Sequence, residues 1–182
     1  PYSASKISAD SIAMSFYNSF SLPVVIARPF NIFGPRQSAR AIIPSIISQI
    51  SSNKKIIKLG DLRPTRDFTY VTDTCLSLLN LSKSNKALGE VVNIGSGNEI
   101  SIDKLVKTIS RIMNIKVSVR KDTKRLRPKR SEVFRLVCNN SKLRKISKNS
   151  PNLPFEEGLR KTIEWFLMEN NLEKYKTDMY NL

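Results

Sequence analysis

The run Val91-Val92-Asn93-Ile94 stops at Gly95-Ser96-Gly97-Asn98, and behind Ser101 the residues Ile102, Leu105, Val106, Ile109, Ile112 and Met113 recur at helical spacing. A short apolar run closed by glycines reads as a buried strand, and the stripe reads as an amphipathic helix with Ser101 as its cap. A strand feeding a helix that packs back on it restricts the chain to an α/β architecture. The alternation repeats elsewhere. Ile7, Ala9, Ile12, Ala13, Phe16 and Tyr17 give a first helix, broken at Leu22-Pro23, and Val24-Val25-Ile26-Ala27 gives a strand. Pro29 and Gly34-Pro35 end that strand in a loop, and residues 41–50 form a helix with Pro44 in its first turn. Residues 55–59 and 68–71 are extended, and Thr72 or Asp73 is the expected cap of a helix carrying Leu76, Leu79 and Leu81. Val117-Ser118-Val119 alternates like an edge strand, residues 121–130 form a basic loop, and Asn140-Ser141 starts a short helix. The last long helix spans 155–168 with Leu159, Ile163 and Phe166 inward, and residues past Asn170 are expected to fray.

The chain has no histidine, which excludes a Ser-His-Asp triad and any histidine-ligated metal. Its two cysteines, Cys75 and Cys138, cannot build a zinc site and are expected to be buried thiols, so no metal is expected. No apolar run reaches the roughly 18 residues that span a bilayer, and no signal peptide is visible. The expectations are a cytoplasmic location and no membrane partner. The chain opens at Pro1 inside a helix-starting pattern, as expected of a fragment. A net charge of +16 concentrates between Lys104 and Lys148, where Asp122 and Glu132 are the only acids. Such a balance suits phosphates on a nucleic acid, an anionic membrane surface or a nucleotide, or else it is a solvated lysine-rich surface. Only Phe134 in that stretch could stack on a base, so nucleic acid is not expected.

Tyr2 and Lys6 stand four apart at the head of the first helix, so phenol and ammonium share a face. A fixed cation beside a phenol favours the phenolate, and Tyr2 could then take a proton from a substrate hydroxyl. Further along come Arg28-Pro29-Phe30-Asn31, Gly34-Pro35-Arg36-Gln37, Arg66-Asp67-Phe68-Thr69-Tyr70-Val71, Asn93-Ile94-Gly95 and Leu126-Arg127-Pro128. In this order and spacing, the chain resembles the extended short-chain dehydrogenase/reductases, the NAD-dependent sugar-nucleotide epimerases and dehydratases. The resemblance implies the C-terminal portion of a Rossmann-like fold with its smaller substrate domain. Residues 1–50 would close the NAD-binding domain. Residues 51–182 would mainly bind the sugar nucleotide, with a strand and helix near 68–95 returning to the Rossmann part.

The resemblance also implies roles. Tyr2 would be the catalytic base and acid, Lys6 would hold the nicotinamide ribose, and Pro29 would lie against the nicotinamide. Asn31 would hydrogen-bond the sugar nucleotide near its phosphates, and Arg66 and Arg127 would grip the diphosphate, the register leaving Arg125 and Arg130 open. Leu59 would pack near the base and Asn98 would touch substrate. Arg28 and Arg36 are expected to be surface ion-pair formers and Tyr70 a core residue.

The segments 35–44 and 62–67 look most like the nucleotide-N-acetylglucosamine 4,6-dehydratases of legionaminic-acid-type pathways. That chemistry is oxidation at C4 with Tyr2 taking the hydroxyl proton, loss of water across C5 and C6, and hydride return to C6. A 4-epimerase or decarboxylase shares every motif present, and a binding-only fragment or a basic polyanion-binding domain is the other class. The family's glycine-rich dinucleotide turn, the Ser/Thr partner of its tyrosine and the dehydratase Asp-Glu pair have no counterpart in this sequence. The isolated chain is therefore expected to be inactive, with most NAD contacts in a missing N-terminal segment. A homodimer through the Tyr2–Lys6 helix is also implied.

Overall fold

The computed structural model describes residues 1–175 other than 53, 127–130, 148–150 and 169. In chain order the elements are α1 (Tyr2–Phe20), β1 (Ile26–Pro29), β2 (Asn31–Phe33), α2 (Ile42–Ser51), β3 (Ile56–Leu59), β4 (Thr65–Arg66), β5 (Phe68–Tyr70) and α3 (Val71–Ser82). There follow β6 (Val91–Ile94), β7 (Ile100–Ser101), α4 (Ile102–Ile112), β8 (Ser118–Lys121), β9 (Arg135–Leu136), α5 (Ser141–Ile146) and α6 (Phe155–Leu167). Three parallel pairs, β1–β6, β2–β5 and β3–β8, are each crossed over by helix-containing connections. That is what a βαβ alternation requires. Strand β4 sits between β7, antiparallel, and β9, parallel. The fold is α/β and Rossmann-like, as the sequence pattern requires.

Two apolar clusters hold these pieces. In the larger, Ile43, Ile46, Ile47 and Ile50 of α2 meet Leu105 and Ile109 of α4 and Leu159 and Phe166 of α6, all at most 1 % exposed. Phe33, Phe68, Tyr70 and Phe155 add an aromatic knot with ring centroids 5.4 to 6.3 Å apart. Gly158 lies inside α6 because a Cβ there would stand 2.9 Å from Phe33 Cζ. The cost of about 1 kcal/mol for a helical glycine is what lets the knot close. The smaller cluster, Leu81, Ala87, Val92, Ile94 and Leu143, joins α3, β6 and α5.

Several expectations need correction. The first strand is Ile26–Pro29, two residues later than Val24–Ala27, and Asn31–Phe33 is a strand rather than loop. Asp73 caps nothing. Helix α3 begins at Val71 with no side-chain cap, and Asp73 Oδ2 instead accepts from the backbone N–H groups of Asn152 and Leu153, 2.9 Å each. Two tertiary backbone donors outweigh one local cap. Cys138 is buried, but Cys75 is exposed beside Leu76 and Leu79. The chain does not fray directly after Asn170: Tyr175 packs on Phe166 and donates its hydroxyl to the Gln37 carbonyl at 2.8 Å. Ser101 does cap α4, accepting from Lys104 N at 3.2 Å.

Candidate functional site

Beside the larger core, a cavity of about 290 Å³ opens between the N-terminal turn of α2, the end of β3, β4 and the segment after β8. Asn31, Leu59 and Arg66, expected from sequence to meet one ligand, all line it. Each is held for a physical reason. Asn31 begins β2 and donates its Nδ2 to the Asp67 carbonyl at 2.9 Å, which fixes the carboxamide. Leu59 closes β3, 1 % exposed, as the alternation with exposed Lys58 demands. The Arg66 guanidinium, 14 % exposed, donates to the Thr65 carbonyl at 2.8 Å and to Glu132 Oε1 at 3.1 Å.

A second guanidinium faces the same cavity. It belongs to Arg125, also 14 % exposed, braced by Asp122 at 3.3 Å and by Ser45 Oγ at 3.1 Å. Arg127 lies outside the described residues. Gly60 makes this closeness possible, since a Cβ there would stand 2.6 Å from the Arg125 carbonyl oxygen. Ala41, Ile42 and Ser45 bring the N-terminal turn of α2 to the wall. A helix N-terminus with two partly buried guanidiniums favours a compact polyvalent anion. Outside them, Asp61 takes a bidentate grip from exposed Arg63, whose hydrogen bonds lower the Asp61 carboxyl to about 2.

Gln37 also lines the cavity. Its Nε2 donates to the Ile32 carbonyl at 2.7 Å and its own carbonyl accepts from Tyr175, while Oε1 is buried without a partner. Sequence reasoning missed Gln37, Ser45 and Glu132. Their partners lie too far along the chain, or across it, for any local spacing to show them. Behind the wall Asp67, fully buried, gathers four donors: Ser96 N, Ser96 Oγ, Gly97 N and Cys138 N, at 2.7 to 3.1 Å. Burial, then the Asp67 charge, pushes the Cys138 thiol up to about 12.

The other sequence-derived residues sit elsewhere. Asn98 lines a neighbouring cavity, of about 650 Å³, between the loop after β6 and the start of α6. Tyr2 and Lys6 do share a face of α1, with Lys6 Nζ 5.6 Å from the Tyr2 ring centroid, but Tyr2 is 75 % exposed and neither lines a described cavity. Pro29 is exposed at the end of β1. Arg28 pairs with Asp10 at 2.6 Å and so ties β1 to α1, as a surface ion pair should; Tyr70 is core.

Residues 1–162 match the family model described as GDP-mannose 4,6 dehydratase. The chain belongs to this family. Within its wider kin, the human dTDP-D-glucose 4,6-dehydratase is 31 % identical over 169 residues, which are 91 % of this chain and 48 % of that protein. Bacillus anthracis dTDP-glucose 4,6-dehydratase in complex with NAD superposes with a TM-score of 0.81 at 31 % identity, over 96 % of this chain and 54 % of that one. A UDP-N-acetylglucosamine 4-epimerase from Methanobrevibacter ruminantium, in complex with UDP-N-acetylmuramic acid, gives 0.79 at 33 %, over 92 % and 53 %. The chain thus spans about half the length of these relatives.

Proposed function

We propose that this chain is the nucleotide-sugar-binding and tyrosine-bearing part of an NAD-dependent sugar-nucleotide 4,6-dehydratase of the nucleotide-N-acetylglucosamine type. The observation that carries it is the convergence of Arg66, Arg125 and Asn31 on one cavity under Leu59. Two forked guanidiniums match a diphosphate. Leu59 offers the base an apolar wall, and Asn31 retains a second N–H beyond the one spent on Asp67. Arg125 is one of the alternatives to Arg127 at this position, and Arg127 itself lies outside the described residues.

NAD fits this chain at one end only. Tyr2 and Lys6 present a hydroxyl and an ammonium side by side, which suits ribose hydroxyls, with Pro29 at the strand end for the nicotinamide. Among the described residues no glycine-rich strand–turn–helix could cradle the pyrophosphate. When bound, NAD would supply the hydride acceptor and donor. The chain's own part is to grip the diphosphate, orient the sugar and, at the Tyr2 hydroxyl, take and return the C4 proton. The exposed face of α1 is where a second copy would pair in a homodimer, and a cytoplasmic setting is part of this reading. No turnover is expected from this chain alone. A 4-epimerase is the second reading, favoured by the likeness to the Methanobrevibacter ruminantium enzyme.

Calorimetric titration with UDP-N-acetylglucosamine, dTDP-glucose and GDP-mannose tests the proposal. The first should bind best, and Arg66→Ala should weaken it at least roughly tenfold, the loss of one charge-assisted pair. A folded chain that binds none of the three would end the reading.

A further inference from the structure

The outer face of the β3–β8 pair faces away from the core and takes no part in the site above. Ile57 and Leu59 point inward, and the register sets Ile56 beside Ser118 and Lys58 beside Arg120 on the other side. Like charges directly opposite across a ladder destabilise it unless an anion offsets them. Lys55, Lys116 and Lys124, all exposed, flank the pair, and Lys58, Arg120, Lys121 and Lys124 line a shallow cavity of about 330 Å³. Among the described residues no carboxylate forms an ion pair with Lys55, Lys58, Lys116, Arg120 or Lys124. The acid on this rim, Asp122, is engaged by Arg125. In the midst of these cations Ile56 stands 57 % exposed.

We propose that this face docks on an anionic phospholipid surface. Cations round a protruding isoleucine match the headgroup region, where ammonium and guanidinium meet lipid phosphates while the apolar side chain reaches the acyl boundary. A polynucleotide would leave Ile56 without a use. Among the described residues the large exposed aromatics, Tyr2, Phe16, Phe20 and Phe134, lie on α1 and before β9 rather than on these two strands, so they offer a base no ring there. The expectation of no membrane partner rested on the lack of a spanning segment. Among the described residues no helix is long and apolar enough to cross a membrane, but surface docking needs none.

Co-sedimentation of the whole chain with phosphatidylcholine vesicles, with and without phosphatidylglycerol, is the test. Binding should need the anionic lipid and should fall steeply as salt shortens the screening length. Lys58→Glu with Arg120→Glu should lose roughly tenfold or more, and Ile56→Ser about threefold. Lys83→Glu with Lys86→Glu makes the same charge change on exposed residues elsewhere and should lose far less. Circular dichroism checks that each variant is folded. Equal binding to neutral vesicles, an equal loss in the control pair, or binding to duplex DNA with none to vesicles would each overturn the proposal.

Discussion

Two phenylalanines divide the molecule. Phe166, in α6, is completely buried among α2, α4 and Tyr175, whereas Phe16, in α1, is 45 % exposed and touches chiefly Phe20. The difference extends to whole elements. Around the cavity, three helices share one core, so the geometry of its lining is supported by packing within the chain. Helix α1 contains no buried residue, and Ile7, Ile12, Phe16 and Phe20 face outward, as do Leu76 and Leu79 on α3. The cavity is built within this chain, whereas Tyr2 sits on a helix that the described residues leave exposed.

The sharpest way to break that contrast is to truncate both rings. Phe166→Ala should cost about 3–5 kcal/mol, because it opens a cavity the core cannot refill. Phe16→Ala should stay within about 0.5 kcal/mol. Urea unfolding followed by circular dichroism measures both. A large, concentration-dependent effect at Phe16 would mean that a second copy already covers α1.

Next in size is Asp67→Asn. Its Oδ1 accepts from Ser96 N and Oγ, and its Oδ2 from Gly97 N and Cys138 N. An amide must turn its NH2 toward one of these pairs, leaving buried donors unmet at about 2–3 kcal/mol. Because the Asp67 carbonyl also holds Asn31, UDP affinity should fall with stability. A stable variant that loses affinity, or the reverse, would separate the two roles.

Helix starts offer a smaller version of the same comparison. Ser101→Ala removes the cap of α4 and should cost about 1 kcal/mol in the same unfolding assay. Helix α1 has no side-chain cap to lose.

What the sequence made legible follows this division. The strand at 91–94 and the helix behind the Ser101 cap read correctly, because the apolar run, the glycine stop and the stripe all agree and the core that selects them lies in this chain. Strands of two or three residues such as β2, β4, β7 and β9 are too short to show a period. Asp73 carries a good capping signal, and only the fold reveals the Asn152 and Leu153 donors that outbid it. Cys75 looks like a core thiol because the sequence around it is apolar, but among the described residues that helix face is left exposed. Around the cavity, Asn31, Leu59 and Arg66 were legible from resemblance. Within the basic stretch the sequence leaves Arg125 as an alternative to Arg127, since Gly60 and Ser45, which seat it, lie 65 and 80 positions away.

Two of the ion pairs at the cavity sharpen the comparison on the smallest scale. Arg66–Glu132 has both side chains at most 16 % exposed, whereas in Arg63–Asp61 the arginine is 76 % exposed. The Arg63 guanidinium, hydrogen-bonded to Asp61, lowers its carboxyl from the usual 3.8 to about 2. A depressed carboxyl stabilises the fold above its unfolded pKa and loses that contribution as pH falls through the folded one. The window here runs from about pH 4 down to about pH 2. Solvent screening makes the gain small. Arg63→Ala should therefore return the Asp61 titration, followed by carboxyl carbon NMR, to the ordinary range while leaving UDP affinity nearly unchanged. High salt should move it part of the way. A marked loss of UDP affinity instead would show that the outer pair also contributes to the binding proposed for Arg66 and Arg125.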